Sequence, residues 1–351
     1  MELNNIIFSF LLLFVGYFLK KYFLLILKKS KSNLLADDQF DKPQAFHENS
    51  TYRLGGMIIF LSLIFVFLYL FIYQNIFFFE YISFCTFFFL LGLIDDLKIN
   101  IRPKFRLIIM ASLLVTLILQ NELYIEKTGL EFLNYLLKID IFALFFICLC
   151  FLFIINGSNL IDGFNGLLGI HSLIIFIILF IINLNNTSND FSYFLFCLCF
   201  IILIFLKFNF PQAKIFLGDS GAYIIGTLIA ISVVKTSILN SSIHPFFFCV
   251  LLFYLFFEVF FSFLRKIFFS KQNPLFPDSK HLHMSLYKIL LKKNENKLNS
   301  NYKVSLYINL IYLSLITPAI FLMENGLFCR YYFFFLLLAY IYFYRILYKK
   351  L

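Results

Sequence analysis

Acidic, amide and imidazole side chains in this sequence gather in a few polar stretches set between long apolar ones. LIDDLKINIRPKFR (93–106) carries Asp95 and Asp96 side by side, and NGSNLIDGFNGLLG (156–169) carries Asn156, Asn159, Asp162 and Asn165 at intervals of three. FNFPQAKIFLGDSG (208–221) carries Phe216 and Asp219, NPLFPDSKHLHM (273–284) carries His281 and His283, and DKPQAFHENSTYRLGG (41–56) carries His47 and Arg53. Acidic groups at the ends of apolar segments are costly and are usually kept for ions or substrates. Adjacent helical residues sit about 100° apart, so Asp95 and Asp96 need not share one job. One can hold a metal while the other faces a second ligand, or the pair can cap a helix and salt-bridge to Lys98 or Arg102.

The same weighing applies to the other stretches. If 156–166 is helical, its Asn and Asp side chains lie on one face and suit a polar ligand, although such a stripe also serves as glue between membrane helices. Asp219 stands at the start of an apolar run, where a helix N-terminus offers unpaired N–H groups to a phosphate. A carboxylate there is placed to hold a Mg²⁺ ion on a pyrophosphate, or is simply an N-terminal cap. Phe216, three residues earlier, can stack on a base. His281 and His283 would face apart on a helix; they can touch phosphate or lie on the surface. His171 reads as packing and His244 as a residue of an outer loop.

The elements that must carry these groups are membrane helices. Of the 351 residues 62% are hydrophobic and only 14% charged, against about a quarter charged in soluble chains. Apolar runs fall at roughly 4–22, 55–73, 77–94, 106–120, 140–156, 166–183, 191–207, 221–238, 246–264, 304–323 and 331–347, lengths of the order needed to cross a bilayer. This predicts an all-α polytopic membrane protein of about 10–11 spans in a single domain over 1–351. The first span lacks a cleavage site and reads as retained. With the N-terminus outside, 25 of the 29 Lys and Arg residues fall on alternate junctions, which the positive-inside rule assigns to the cytosol. The polar loops, at about 28–54, 95–106, 156–166, 207–220 and 265–304, all lie on that side. The stretch 121–140 can carry an amphipathic surface helix, and 265–304 a short one. The net charge of +10 is then a topology signal that also suits anionic lipid heads; nothing points to nucleic acid. Seven cysteines in apolar surroundings suggest neither disulfides nor zinc.

Taken in order, the five loops resemble those of the polytopic polyprenyl-phosphate N-acetylhexosamine-1-phosphate transferase family. DKP, His47 and TYRLGG look like its first loop, LIDDLKINIRPKFRL its paired-aspartate loop and NGSNLIDGFNGLLG its Asn-rich loop. KIFLGDSGAYIIG and FPDSKHLHM are similar to the two that follow. Asn165 stands where many members have Asp, Met284 replaces a last histidine, and Glu258 stands near a position often held by Asp. The resemblance implies an enzyme of the bacterial inner membrane with its site facing the cytosol. It would be Mg²⁺-dependent, with Mn²⁺ as a substitute, and would pass N-acetylhexosamine 1-phosphate from a UDP-sugar to polyprenyl phosphate with release of UMP. Asp95, Asp96 and Asp219 would be catalytic, with the metal on Asp219 and Asp96. Asn159, Asp162 and Phe216 would surround the nucleoside, and Arg265, His281 and His283 the diphosphate or sugar; His47, Arg53, Asn156 and Asn165 complete the substrate contacts. Membrane lipid is a further partner, and a homodimer is compatible with the chain. Two other readings stand beside this one: a phospho-MurNAc-pentapeptide transferase, and a non-catalytic transporter of lipid-linked sugar. The latter needs polar groups near mid-bilayer, where this chain is almost all Phe, Leu and Ile.

Overall fold

Each of the eleven apolar runs is helical in the computed structural model. The structure describes residues 3–30, 35–37, 50–99, 101–184, 189–270, 273, 279–293 and 296–351. In chain order the helices are α1 (Leu3–Ser30), α2 (Gly55–Gln74), α3 (Phe79–Asp96), α4 (Pro103–Asn121), α5 (Glu131–Leu136), α6 (Asp140–Ile161) and α7 (Leu167–Asn183). Then come α8 (Asn189–Asn209), α9 (Gly218–Leu239), α10 (Pro245–Leu251), α11 (Phe253–Arg265), α12 (Leu282–Lys292), α13 (Lys297–Phe321) and α14 (Gly326–Lys349). Eight of them are long and apolar enough to cross a membrane, nine with the bent pair α10–α11 counted once. Two predicted spans fall short of that measure: α3 because it carries Glu80, Asp95 and Asp96, and α7 because it has 17 residues.

The span predicted over 246–264 is broken. α10 and α11 meet at Leu252 with a bend of 72°. A break frees backbone groups that lipid cannot satisfy, and the Tyr312 hydroxyl donates to the Leu251 carbonyl at 2.6 Å. The two surface helices expected from the sequence are present as α5, only six residues long, and α12.

α9 is the axis of the bundle. It is buried along nearly its whole length and packs against α2, α3, α6 and α7. A helix apolar on every side has no preferred outward face, so it belongs inside. Contact between α3 and α9 depends on Gly92, because a Cβ there would run into the backbone of Asp219 and Ser220. Without a hydrophobic drive between helices in lipid, such close backbone approach supplies the association. Opposite the polar loops the same pair is fastened by Lys235 Nζ, 2.6 Å from Glu80 Oε1 and 4.4 Å above the Phe78 ring.

At the other end the loops are sewn together by backbone. A two-stranded antiparallel sheet pairs β1 (Ala36–Asp37) with β2 (Thr51–Tyr52). Next to it Tyr52 accepts from the Phe216 N–H at 2.9 Å, and Phe216 accepts from the Gly55 N–H at 2.9 Å. The loop before α2 and the loop before α9 are therefore one structure. Replacing Gly92 by Leu should cost about 1–3 kcal/mol through overpacking and lower the melting temperature of the detergent-solubilised protein; unchanged melting would show that α3 does not approach α9 this closely.

Candidate active site

The site is built on the first turn of α9. Gly218 has φ +78°, a left-handed conformation that glycine adopts freely, and a Cβ at this position would sit 2.6–2.7 Å from the oxygens of Asp96. Absence of a side chain thus lets the Asp96 carboxylate, from the end of α3, reach the helix. It accepts from the Asp219 N–H at 2.9 Å, the Ser220 N–H at 3.0 Å and the Ser220 hydroxyl at 2.6 Å. Those N–H groups have no partner within their own helix, and a negative charge there also meets the positive end of the macrodipole. Asp96 is 1% exposed, so its bonds are shielded from water.

Around this cap stand four further carboxylates and two guanidinium groups. Arg53 Nη2 is 2.8 Å from Asp37 Oδ2, and Arg53 Nη1 is 3.6 Å from Asp96 Oδ1. Arg106 Nη1 is 3.0 Å from Asp95 Oδ2. The Asn159 amide donates to Asp219 Oδ1 at 2.9 Å. Asp162 follows the last residue of α6, and among the described residues no donor reaches its carboxylate. Burial raises the Asp162 carboxyl well above the usual range, and the charges of Asp219 and Asp96 add to the effect. Asp96 is pushed up to about 7, first by burial and then by Asp219, against its bonds from Ser220 and the field of Arg53. Asp95 is raised by burial and pulled back by Arg106. Each of these carboxyls feels Asp219, which is the electrostatic hub of the group.

Such crowding favours a cation. Among the described residues no three His, Cys, Asp or Glu side chains stand close enough to enclose an ion. Mg²⁺ rarely asks for that: it is held by one or two carboxylates with waters and substrate phosphates completing the octahedron. Asp219 and the donor-free Asp162 fit that pattern. Asp96, assigned to the metal from the sequence, already accepts three hydrogen bonds and shapes the turn that carries Asp219.

Other sequence-predicted residues divide. Arg53, Asp95, Asp96, Asn159, Asp162 and Asp219 come together, and Phe216 is half-buried beside Arg53 through a backbone bridge. His47 lies outside the described residues. Asn156 and Asn165 do not share a face with Asp162, because α6 ends at Ile161 and the chain turns there. Asn156 donates to the Leu152 carbonyl of its own helix, and Asn165 to the Pro211 carbonyl at 2.9 Å. The histidines are neither on the surface nor facing apart. His281 precedes α12 with extended backbone, so its ring lies parallel to that of His283, centroids 5.4 Å apart. Both are buried against Glu258: His281 Nδ1 is 3.1 Å and His283 Nδ1 3.8 Å from its carboxylate. Phe164, two residues past Asp162, meets His283 edge-on, tying this pair to the carboxylate loop. Arg265 is buried, its Nη2 donating to Ser262 at 3.4 Å and its guanidinium 5.9 Å from the Tyr344 ring. The sequence reading missed Asp37, Arg106 and Tyr223. Of these Tyr223 carried a usable signal, its i+4 spacing from Asp219 on one helix.

A bundle of membrane helices that gathers carboxylates, arginines and imidazoles at one end defines an integral membrane protein with an interfacial anion and cation site. Glycosyl transferase family 4 matches residues 78–237, the stretch from α3 to α9 that holds Asp95, Asp96, Asp162 and Asp219. The chain is 29% identical over 245 residues to an undecaprenyl-phosphate alpha-N-acetylglucosaminyl 1-phosphate transferase of Thermotoga maritima, covering 69% of this chain and 71% of the relative. It is 31% identical over 194 residues to a phospho-N-acetylmuramoyl-pentapeptide-transferase of Dictyoglomus thermophilum, 53% of this chain and 59% of that one. With the Escherichia coli K12 undecaprenyl-phosphate alpha-N-acetylglucosaminyl 1-phosphate transferase the identity is 25% over 159 residues, 44% of this chain and 42% of the relative. These similarities support the resemblance to membrane sugar-phosphate transferases that the polar loops carry.

Asp96 and Asp219 should separate in stability. Asp96→Asn turns an amide N–H₂ toward donors and should cost about 1–3 kcal/mol in denaturation of the purified protein. Asp219→Asn keeps the Oδ1 acceptor for Asn159, relieves like-charge repulsion and should melt no lower than wild type. The reverse order would show that Asp96 is not the cap of α9.

Proposed function

We propose that this protein transfers N-acetylglucosamine 1-phosphate, or a closely related N-acetylhexosamine 1-phosphate, from its UDP-sugar to polyprenyl phosphate at the cytosolic face of the bacterial inner membrane. The observation that carries the proposal is the convergence of Asp95, Asp96, Asp162 and Asp219 on one turn of α9, with Arg53 and Arg106 beside them. Two phosphate-bearing reactants repel each other, and a site that brings them together must supply positive charge. Arg53 and Arg106 supply part of it, and Mg²⁺ on Asp219 and Asp162 would supply the rest by neutralising the diphosphate.

An oxygen of the acceptor phosphate attacks the β-phosphorus of the donor, the bond from that phosphorus to the bridging oxygen breaks, and UMP leaves with the electron pair. A phosphate monoester with a second pKa of about 6 is largely dianionic at neutral pH, so little base catalysis is needed. Asp95, held by Arg106, orients the acceptor. Asn159 fixes the Asp219 carboxylate, and Phe216 is placed to stack on uracil. His281 and His283, with Glu258 behind them to balance positive charge, face the diphosphate or sugar together with Arg265. The similarity to phospho-N-acetylmuramoyl-pentapeptide-transferases keeps a second donor in view; the match to the N-acetylglucosaminyl enzyme runs over more of both chains than the match from Dictyoglomus thermophilum.

Purified protein incubated with polyprenyl phosphate, Mg²⁺ and UDP-N-acetylglucosamine should release UMP and form a lipid of the mass of polyprenyl diphosphate N-acetylglucosamine. Turnover of the UDP-MurNAc-pentapeptide donor in its place would establish the second reading, and UMP release from neither donor would reject transferase activity toward both. Independently of turnover, Mg²⁺ should raise the melting temperature, more at pH 8 than at pH 6. The Asp96 carboxyl titrates near 7 and that of Asp162 is raised, so protons oppose the cation below neutrality. Asp219→Asn should abolish this thermal shift; a shift of wild-type size in that variant would remove the metal from Asp219.

A further inference from the structure

Tyr223 lies one helical turn beyond Asp219 on α9, with its side chain fully buried. Its hydroxyl has no hydrogen-bond partner. Three other buried phenols in this bundle are hydrogen-bonded: Tyr81 pairs with Ser232, Tyr254 with His283 and Tyr312 with the Leu251 carbonyl. A buried polar group left without a partner is rare and asks for an explanation. The charges that act on Tyr223 are those of Asp219, Arg106, Asp95 and Asp96. Arg106, the cation whose charge acts on Tyr223, is already bonded to Asp95, and both Asp96 oxygens accept from α9.

These interactions divide the site into two halves about Asp219. One half holds Asp162, Asn159 and Arg53; the charges that Asp162 feels are Asp219, Asp96 and Arg53. The other half holds Asp95, Arg106 and Tyr223. It adjoins the start of α4, where Phe105, Ile108 and Ile109 point outward from the bundle, toward lipid. A reaction between two phosphates needs two anion subsites, and the one beside the lipid-facing helix suits the reactant that arrives in the membrane.

We propose that the Tyr223 hydroxyl donates a hydrogen bond to a phosphate oxygen of the lipid-borne acceptor, next to Arg106, and so helps to select a phosphate monoester on a prenyl chain. This rests on the transferase reading above and names a residue for its acceptor half. Tyr223→Phe removes one oxygen and leaves the packing in place. Because the hydroxyl has no internal partner to lose, the variant should melt no lower than wild type. Its KM for polyprenyl phosphate should rise on the order of tenfold or more, the loss expected of a hydrogen bond to a charged group, while the KM for the UDP-sugar stays unchanged.

The experiment measures melting, both KM values and direct binding of a radiolabelled short-chain prenyl monophosphate in detergent, with inorganic phosphate and UMP as competitors. Weaker binding of the prenyl monophosphate to Tyr223→Phe, with inorganic phosphate a poor competitor, supports the assignment. An unchanged acceptor KM, a change confined to the donor KM, equal competition by inorganic phosphate, or a lower melting temperature would each overturn it. If wild type itself turns over no UDP-sugar, the transferase reading has failed, and the binding comparison still reports on Tyr223.

Discussion

A carboxylate from one membrane helix caps the N-terminus of another, and most of the site follows from that contact. Asp96 and the first turn of α9 are separated by more than 120 residues of chain, yet the carboxylate takes two backbone N–H groups and one hydroxyl of that turn. Unpaired N–H groups are far more costly near hydrocarbon than in water, so the cap is in effect obligatory. It also fixes where Asp219 must be. Its approach needs two positions without side chains: Gly218, which otherwise would strike the carboxylate, and Gly92, which lets α3 lie against the α9 backbone. A chemical site is thereby welded to the tightest helix contact of the bundle.

The contact has an electrostatic cost. Holding Asp96 in place puts Asp95, Asp162 and Asp219 within reach of its charge, and burial makes every one of these repulsions stronger. Arg53 and Arg106 offset part of it, Arg53 between Asp96 and Asp37 and Arg106 at Asp95. The surplus of negative charge is therefore built into the protein by its own architecture. It is what the divalent cation and diphosphate of the proposed reaction would relieve, and their binding would then stabilise this corner.

Much of this could be read from the residues themselves. Runs of Phe, Leu and Ile marked the eleven apolar helical stretches, eight or nine of them long and apolar enough to cross a membrane, and the placement of Lys and Arg put Asp95, Asp96, Asp162 and Asp219 on one side. What escaped the sequence depends on where a helix stops and on who meets whom across the bundle. The Asn stripe was read as one helical face, but α6 ends at Ile161, so Asn165 turns away to hold the Pro211 carbonyl. The i, i+2 histidines were expected to diverge, a conclusion that presumes helix at both residues; extended backbone at His281 makes the rings parallel. Glu258 was noticed as a departure from a family pattern, while its partnership with those rings needed three-dimensional proximity to be seen. Likewise nothing local distinguishes Asp95 from Asp96, since the distinction lies in which one points at α9 and which at Arg106.

The break between α10 and α11 shows how the histidine wall reaches the carboxylate group. α10 and α11 meet at a 72° bend, so the second half does not continue the line of the first. That half carries Glu258 and Arg265, both buried, and backs His281 and His283. Irregular backbone at such depth survives only when it is packed in protein with its polar groups satisfied, and here Tyr312 takes the exposed carbonyl at Leu251. On the far side Gly157 of α6 allows the Leu255 carbonyl to approach closely, so α6 locks α11 in its tilted course. Because α6 also carries Asn159, which holds Asp219, and leads directly into Asp162, one helix both packs on α11 and positions the carboxylate group. Displacement of either half of the site is thus resisted by the other, and its geometry is held by packing rather than by loops alone.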